Sequence, residues 1–177
     1  MTNAELAILS LIVEMPMHGY QIEQIIESRG MREWTDVGFS SIYYILNKLE
    51  ERGLVTSQLE QTEGRGPARK VFHPTNAGRE AWLRHSLETL REPARLPAPF
   101  LLGLSGFPAY DPGEVLSALR GYLTKLEARR TDLLERAEAQ QPLLPHVTAM
   151  FSYSQTLIEA EISWLKQFIA QIAPISD

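Results

Sequence analysis

Apolar positions along this chain recur at helical spacing in some stretches and condense into short runs in others. Near the N-terminus Leu6, Ile8, Leu9, Ile12 and Val13 crowd together behind Thr2-Asn3-Ala4-Glu5. Thr2 and Glu5 have the spacing of a capping box, so a short, largely buried helix is expected, ending near Pro16. A second helix is expected after His18-Gly19-Tyr20, with Ile22, Ile25 and Ile26 inward and Gly30 as its left-handed stop. A third is expected to start near Ser40 as N-cap, with Ile42, Ile45, Leu46 and Leu49 on one stripe. Gly53 ends it, and Leu54 can fold back over its last turn. Residues 54–60 and 68–73 read as two strands joined by a turn holding Gly64, Gly66 and Pro67. Pro74 stops the second strand, and Thr75 caps a fourth helix through Arg91, with Ala81, Trp82, Leu83 and Leu87 as packing candidates.

Pro93, Pro97, Pro99 and Pro108 then interrupt the pattern. Residues 92–111 read as a linker with room for one short helix around Leu101. Asp111-Pro112-Gly113-Glu114 has the order of a helix start, and Leu116, Leu119, Leu123, Leu126, Leu133 and Leu134 follow. After Pro142 and Pro145 a last helix is expected to reach Ile172. Phe151, Gln155, Ile158, Ile162, Leu165, Ile169 and Ile172 recur there at alternating spacings of four and three, a coiled-coil-like seam. Met150, Leu157, Trp164 and Phe168 form a second apolar stripe beside it. One partner helix cannot cover so wide a face: the preceding long helix can cover part of it, and a second copy of the chain is expected to cover the rest, which makes the seam a homodimer interface. The alternative is that both stripes pack inside one chain. The expected class is mainly α with a small β-hairpin wing. A winged helix-turn-helix at 1–91 precedes a linker at 92–111 and a helical dimerisation domain at 112–177.

Composition adjusts this picture in two places. The 177 residues carry a net charge of −5, which argues mildly against nucleic acid as a partner. Yet Arg65, Arg69, Lys70, Arg79, Arg84 and Arg91 face only Glu80 and Glu88 between positions 64 and 91, so a basic face is expected on an otherwise acidic chain. The chain has no cysteine, which excludes disulfides and thiolate metal sites. No apolar run is long enough for a membrane span and no signal-peptide pattern is read, in keeping with a cytoplasmic protein. Four scattered histidines show no metal-ligand spacing. Gly103-Leu104-Ser105-Gly106-Phe107 fails as a nucleophile elbow because its fifth residue is not glycine. An enzyme, a metal and a cofactor are therefore not expected.

Four groups of residues together resemble the PadR family of bacterial regulators. They are His18-Gly19-Tyr20; Ser41-Ile42-Tyr43 with Leu46, Leu49, Glu50 and Gly53; Arg69-Lys70-Val71-Phe72 leading to Thr75, Ala77 and Gly78; and Glu159-Ala160-Glu161 with Trp164-Leu165. The last group resembles the longer-tailed subgroup, whose tail is similar to the virulence-activator alpha C-terminal domain. Two departures are Pro74 after His73, and Tyr44-Ile45-Leu46-Asn47, where proline and alanine often follow the tyrosine. The resemblance implies a homodimeric DNA binder, usually a repressor, released in several members by a small, often aromatic, molecule.

On this reading the third helix enters the major groove, with Tyr44 and Asn47 toward base edges. Ser40 and Ser41 at its N-terminus and Lys48 on its flank are expected on phosphates. The family position of Tyr43 implies a backbone contact, and Tyr20 has the same role from the second helix. Arg65, Arg69 and Lys70 arm the wing. Phe151, Ile158, Ile162, Leu165, Ile169 and Ile172 are the expected dimer contacts. Trp164 and Phe168, with Trp82 and Phe100, are candidates for an effector pocket between the two parts; the plainer reading makes them core. The expected partners are double-stranded DNA, a second copy of the chain and a small effector. The rival function is a winged helix that binds a protein partner.

Overall fold

Thr2 and Glu5 form the expected capping box and start α1 (Asn3–Glu14) in a computed structural model of the chain. The structure describes residues 1–33, 35, 37–61, 68–93 and 98–173. They fall into two compact units, Met1–Ala94 and Arg95–Asp177.

In the first unit α1 leads through β1 (Met17–His18) into α2 (Gly19–Ser28), a 3-10 turn at Met31–Glu33 and α3 (Phe39–Glu51). Strands β2 (Val55–Glu60) and β3 (Arg69–Pro74) then precede α4 (Asn76–Arg91). Both expected left-handed stops are present, Gly30 at φ +64° and Gly53 at φ +67°. After α3 the Leu54 amide donates to the Leu49 carbonyl and the Gly53 amide to that of Glu50, which closes a Schellman motif. Ile8, Leu9, Ile12, Ile22, Ile26, Ile42, Leu46 and Leu49 are fully buried, so three helices share one core beneath the sheet residues Val55 and Phe72.

Several sequence expectations change. The sheet has three strands, because Met17 and His18 pair with Phe72 and Val71 on the far edge of β3. Two residues carry no periodicity, so this pairing was invisible in the sequence. Pro74 is itself the last residue of β3, opposite Val55, where a strand tolerates proline. The N-cap of α3 is Gly38 and not Ser40. The Ser41 hydroxyl donates back to the Gly38 carbonyl at 2.6 Å. In α4, Ala81 is buried and Trp82 packs on the core, but Leu83 and Leu87 are exposed.

The second unit comprises α5 (Ala98–Ser105), a 3-10 turn at Phe107–Ala109, α6 (Pro112–Ala139) and α7 (Pro145–Ile172). Asp111 caps α6 by accepting from the Glu114 amide at 3.0 Å. Residues 98–109 lie in the stretch read as linker, yet they are mostly helical and pack Phe100 and Phe107 onto this unit's core. Their apolar density (Phe100, Leu101, Leu102, Leu104, Phe107) outweighs the prolines. Ile158, Ile162, Leu165 and Ile172 are buried together with Leu116, Leu119 and Leu126 of α6, and Ile169 packs against the same cluster. The seam expected between subunits is thus closed within the chain. The physical reason is the short connection at 140–144, which holds α6 beside α7 at high local concentration. Phe151 and Gln155 are half-buried. In the adjoining stripe Met150, Leu157 and Trp164 are exposed, whereas Phe168 packs against the same cluster. Among the described residues no helix is long and apolar enough to cross a membrane.

Candidate nucleic-acid interface

The inward stripe of α3 leaves Tyr43, Tyr44 and Asn47 exposed on its other side. Two neighbours frame this face. The start of α2 lies on one side, where His18 is the N-cap: the Gln21 amide donates to His18 Nδ1 at 3.2 Å, and the His18 amide donates to Gln21 Oε1 at 3.0 Å. On the other side β3 presents Arg69 and Lys70, both exposed. His18, Gly19, Tyr20, Tyr43, Asn47, Arg69, Lys70 and Phe72 together line a concavity of about 370 Å³. Five of the expected DNA-contact residues are therefore brought into one place.

Gly19 explains how Tyr43 is seated. A β-carbon on Gly19 would lie 2.7 Å from Tyr43 Cε1, so the ring rests where a side chain would otherwise be. This settles the ambiguity of Tyr43: its ring covers the start of α2 and is not core. Tyr20 is also exposed, and its ring stacks toward that of His18 with centroids 6.4 Å apart.

His18 was not singled out as a contact residue, because histidine is an unusual N-cap. Its Nδ1 accepts a backbone hydrogen bond, so in the neutral ring the proton sits on Nε2. Arg69 Nη1 lies 3.1 Å from that nitrogen. Burial first, and then the Arg69 charge, hold the imidazole below the ordinary histidine value. Two N–H donors thus converge at the edge of the concavity, an arrangement that an anion would satisfy.

The two lysines are less free than the sequence suggested. Lys48 Nζ is 2.7 Å from Oε1 of Glu5, a residue only 3% exposed, though out of hydrogen-bond alignment. Arg52 reaches Glu5 Oε2 at 3.2 Å. Lys48 therefore ties the flank of α3 to α1, and a phosphate there would compete with Glu5 for it. Lys70 pairs with Glu50 at 2.8 Å and lies over the Phe72 ring. The Ser41 hydroxyl is engaged with Gly38, and the Ser40 side chain and Arg65 lie outside the described residues.

Glu5 thereby positions α3. Burial acts most strongly on its carboxyl and raises it, but contact with Lys48, the Thr2 amide and the Lys48 and Arg52 charges outweigh that, leaving it below 4.5. A depressed folded-state value means stability that is present above about pH 4.5 and lost as pH falls through the folded value. Glu5→Gln should therefore lower stability by about 2 kcal/mol at pH 7. The gap should close at low pH. Urea denaturation at pH 7 and pH 3.5 checks this, and an equal gap at both would show that the charge is not what matters.

The second unit carries the other expected site. Trp164 stacks on Phe168 with centroids 5.1 Å apart and meets Phe100 edge-on at 5.8 Å. Trp82 belongs to the first unit, where its indole N–H donates to Ser10 Oγ at 2.9 Å. A cavity of about 420 Å³ exists within the second unit, lined by Phe100 but by neither Trp164 nor Phe168.

Three helices, a three-stranded antiparallel sheet and a capping fourth helix define the first unit as a winged helix-turn-helix domain. Residues 8–84 match the model of the transcriptional regulator PadR-like family. Among solved structures it is similar to Bacillus subtilis PadR in complex with operator DNA, at 21% identity over 95% of this chain and 98% of the other, with a TM-score of 0.78. A PadR-like transcriptional regulator from Bacillus cereus gives 18% identity over 97% and 99%, with a TM-score of 0.76. Bacillus subtilis PadR in complex with p-coumaric acid gives 20% over 96% and 98%, with a TM-score of 0.72. At these identities the likeness is one of fold. No curated protein matches the sequence.

Proposed function

We propose that this protein is a PadR-like transcriptional regulator, a cytoplasmic, dimeric repressor that binds an inverted-repeat operator through residues 1–91. The observation that supports DNA most is the concavity in which Asn47, Tyr43, the start of α2 and Arg69 converge. Tyr44 and Asn47 on the exposed face of α3 read base edges, Asn47 being suited to adenine. Tyr20, Tyr43 and Arg69 hold the backbone, and Arg65 with Lys70 extends that contact along the wing. That a neighbour in fold, Bacillus subtilis PadR, forms a complex with operator DNA supports DNA as the partner.

The test is fluorescence anisotropy with DNA from upstream of the chain's own gene, against random DNA, at two salt concentrations. Arg69→Ala should weaken binding to both fragments and flatten the salt slope by about one unit. Asn47→Ala should keep the slope and lose about 1–3 kcal/mol of discrimination between the fragments. Binding that ignores salt would sink the reading in favour of a protein-binding winged helix.

Residues 112–177 serve the dimer. With the seam closed inside the chain, the contact surface is the open stripe of Met150, Leu157 and Trp164. Two half-sites one helical turn apart, about 34–36 Å, then suit two copies. Leu157→Glu is expected to give monomers in sedimentation while leaving the fold intact, since Leu157 is 52% exposed. A dimer that survives this change would place the interface elsewhere.

Release of DNA by a small aromatic or hydrophobic molecule completes the reading. Its supports are the aromatic cluster of Trp164, Phe168 and Phe100 and the p-coumaric acid complex of the structural neighbour.

A further inference from the structure

The cavity of the second unit has an unusual lining. Its volume, about 420 Å³, suits a small molecule. Four aromatic rings, Phe100, Phe107, Tyr110 and Tyr122, contribute to its wall. Among the described lining residues the one charged group is the Glu114 carboxylate, and there is no Lys, Arg or His.

The rings are held in place. Phe100 and Tyr122 stack with centroids 5.0 Å apart. A β-carbon on Gly106 would lie 2.3 Å from the Tyr110 hydroxyl, so the Tyr110 ring lies close over Gly106. The Tyr122 hydroxyl donates to Glu161 Oε1 at 2.5 Å, and burial together with that carboxylate pushes its titration up to about 12. Its phenol is therefore neutral, and a hydrogen bond to a carboxylate enriches the ring in electron density. Electron-rich faces beside one carboxylate attract a cation through ring quadrupole and Coulomb terms together. A carboxylic acid would meet Glu114 with no compensating cation in the described lining.

We propose that this cavity binds a small organic cation of the aromatic quaternary-ammonium class, caged by Phe100, Phe107, Tyr110 and Tyr122 and paired with Glu114. The site is separate from the Trp164–Phe168 cluster named above, sharing only Phe100 with it, and rests on the effector reading only for any consequence on DNA.

Binding is measured on the full chain without DNA, by NMR shifts of the Phe100 and Tyr122 rings. The probes are benzyltrimethylammonium, its uncharged isostere neopentylbenzene and the anion 3-phenylpropanoate. The cation should bind at least about tenfold more tightly than the isostere, and the anion more weakly still. Glu114→Gln should remove the Coulomb share and so reduce the preference for charge several-fold, leaving the share due to the rings. Gly103 lines the cavity, and a β-carbon there meets nothing within 4 Å. Gly103→Leu should therefore fold, fill the space and lose all three ligands. Equal affinity for cation and isostere, a preference left unchanged by Glu114→Gln, or no binding of the cation would overturn the proposal. Loss of DNA binding with the cation still bound would instead count against the regulator reading alone.

Discussion

Leu165→Ala should lower the stability of the second unit by about 2–5 kcal/mol. Leu165 is 0% exposed and sits among Leu116, Leu119, Ile158 and Ile162 in the core shared by α6 and α7. Truncation removes a full set of apolar contacts and leaves a cavity that two long helices cannot easily collapse. Hydrogen exchange is the suitable measurement because it reports on the two units separately: protection should fall in α6 and α7 and stay unchanged in α1–α3. The same experiment tests the placement of the seam. If Leu165 instead lay between subunits, the variant would lose dimer on dilution while each chain kept its protection, and the packing described here would be wrong.

Gly78→Ala should be nearly as damaging, for the opposite reason. A β-carbon at position 78 would stand 1.9 Å from the Leu54 carbonyl oxygen and 2.9 Å from its carbon. Neither atom can yield cheaply, since both are backbone. That carbonyl also accepts from the Thr75 amide and hydroxyl, each at 3.1 Å, which joins the start of α4 to the end of α3. Forcing them apart should cost about 3 kcal/mol, at the upper end for overpacking. Gly121→Ala is the control: it lies in α6 with nothing within 4 Å, and should hold or raise stability by up to about 1 kcal/mol. Thermal unfolding of both variants checks the contrast. A Gly78→Ala protein as stable as the parent would refute the close approach.

Local chemistry made much of this molecule legible. Thr2 with Glu5, Asp111 with Glu114, Gly30 and Gly53 act within a few residues of themselves, so the elements they start or stop follow from sequence alone. The exposed face of α3 was legible for the same reason, because the period of Ile42, Ile45, Leu46 and Leu49 assigns the opposite side to Tyr44 and Asn47.

What periodicity cannot say is which partner an apolar or charged group will choose. The α7 seam was a sound apolar stripe, but whether α6 or a second copy covers it depends on where a short connection puts α6. Lys48 looked available for phosphate until α1 brought a buried carboxylate to it, from a residue 43 positions earlier. Strand β1 exists only because β3 offers it an edge, and His18 gains meaning only when that pairing sets it beside Arg69. Neighbours along the chain suffice for most of the helices, for the caps at Thr2, Thr75 and Asp111 and for the pair of strands after α3, but not for the caps at His18 and Gly38. Tertiary structure alone decided the pairings, because contact energies between distant residues depend on geometry that no local pattern encodes.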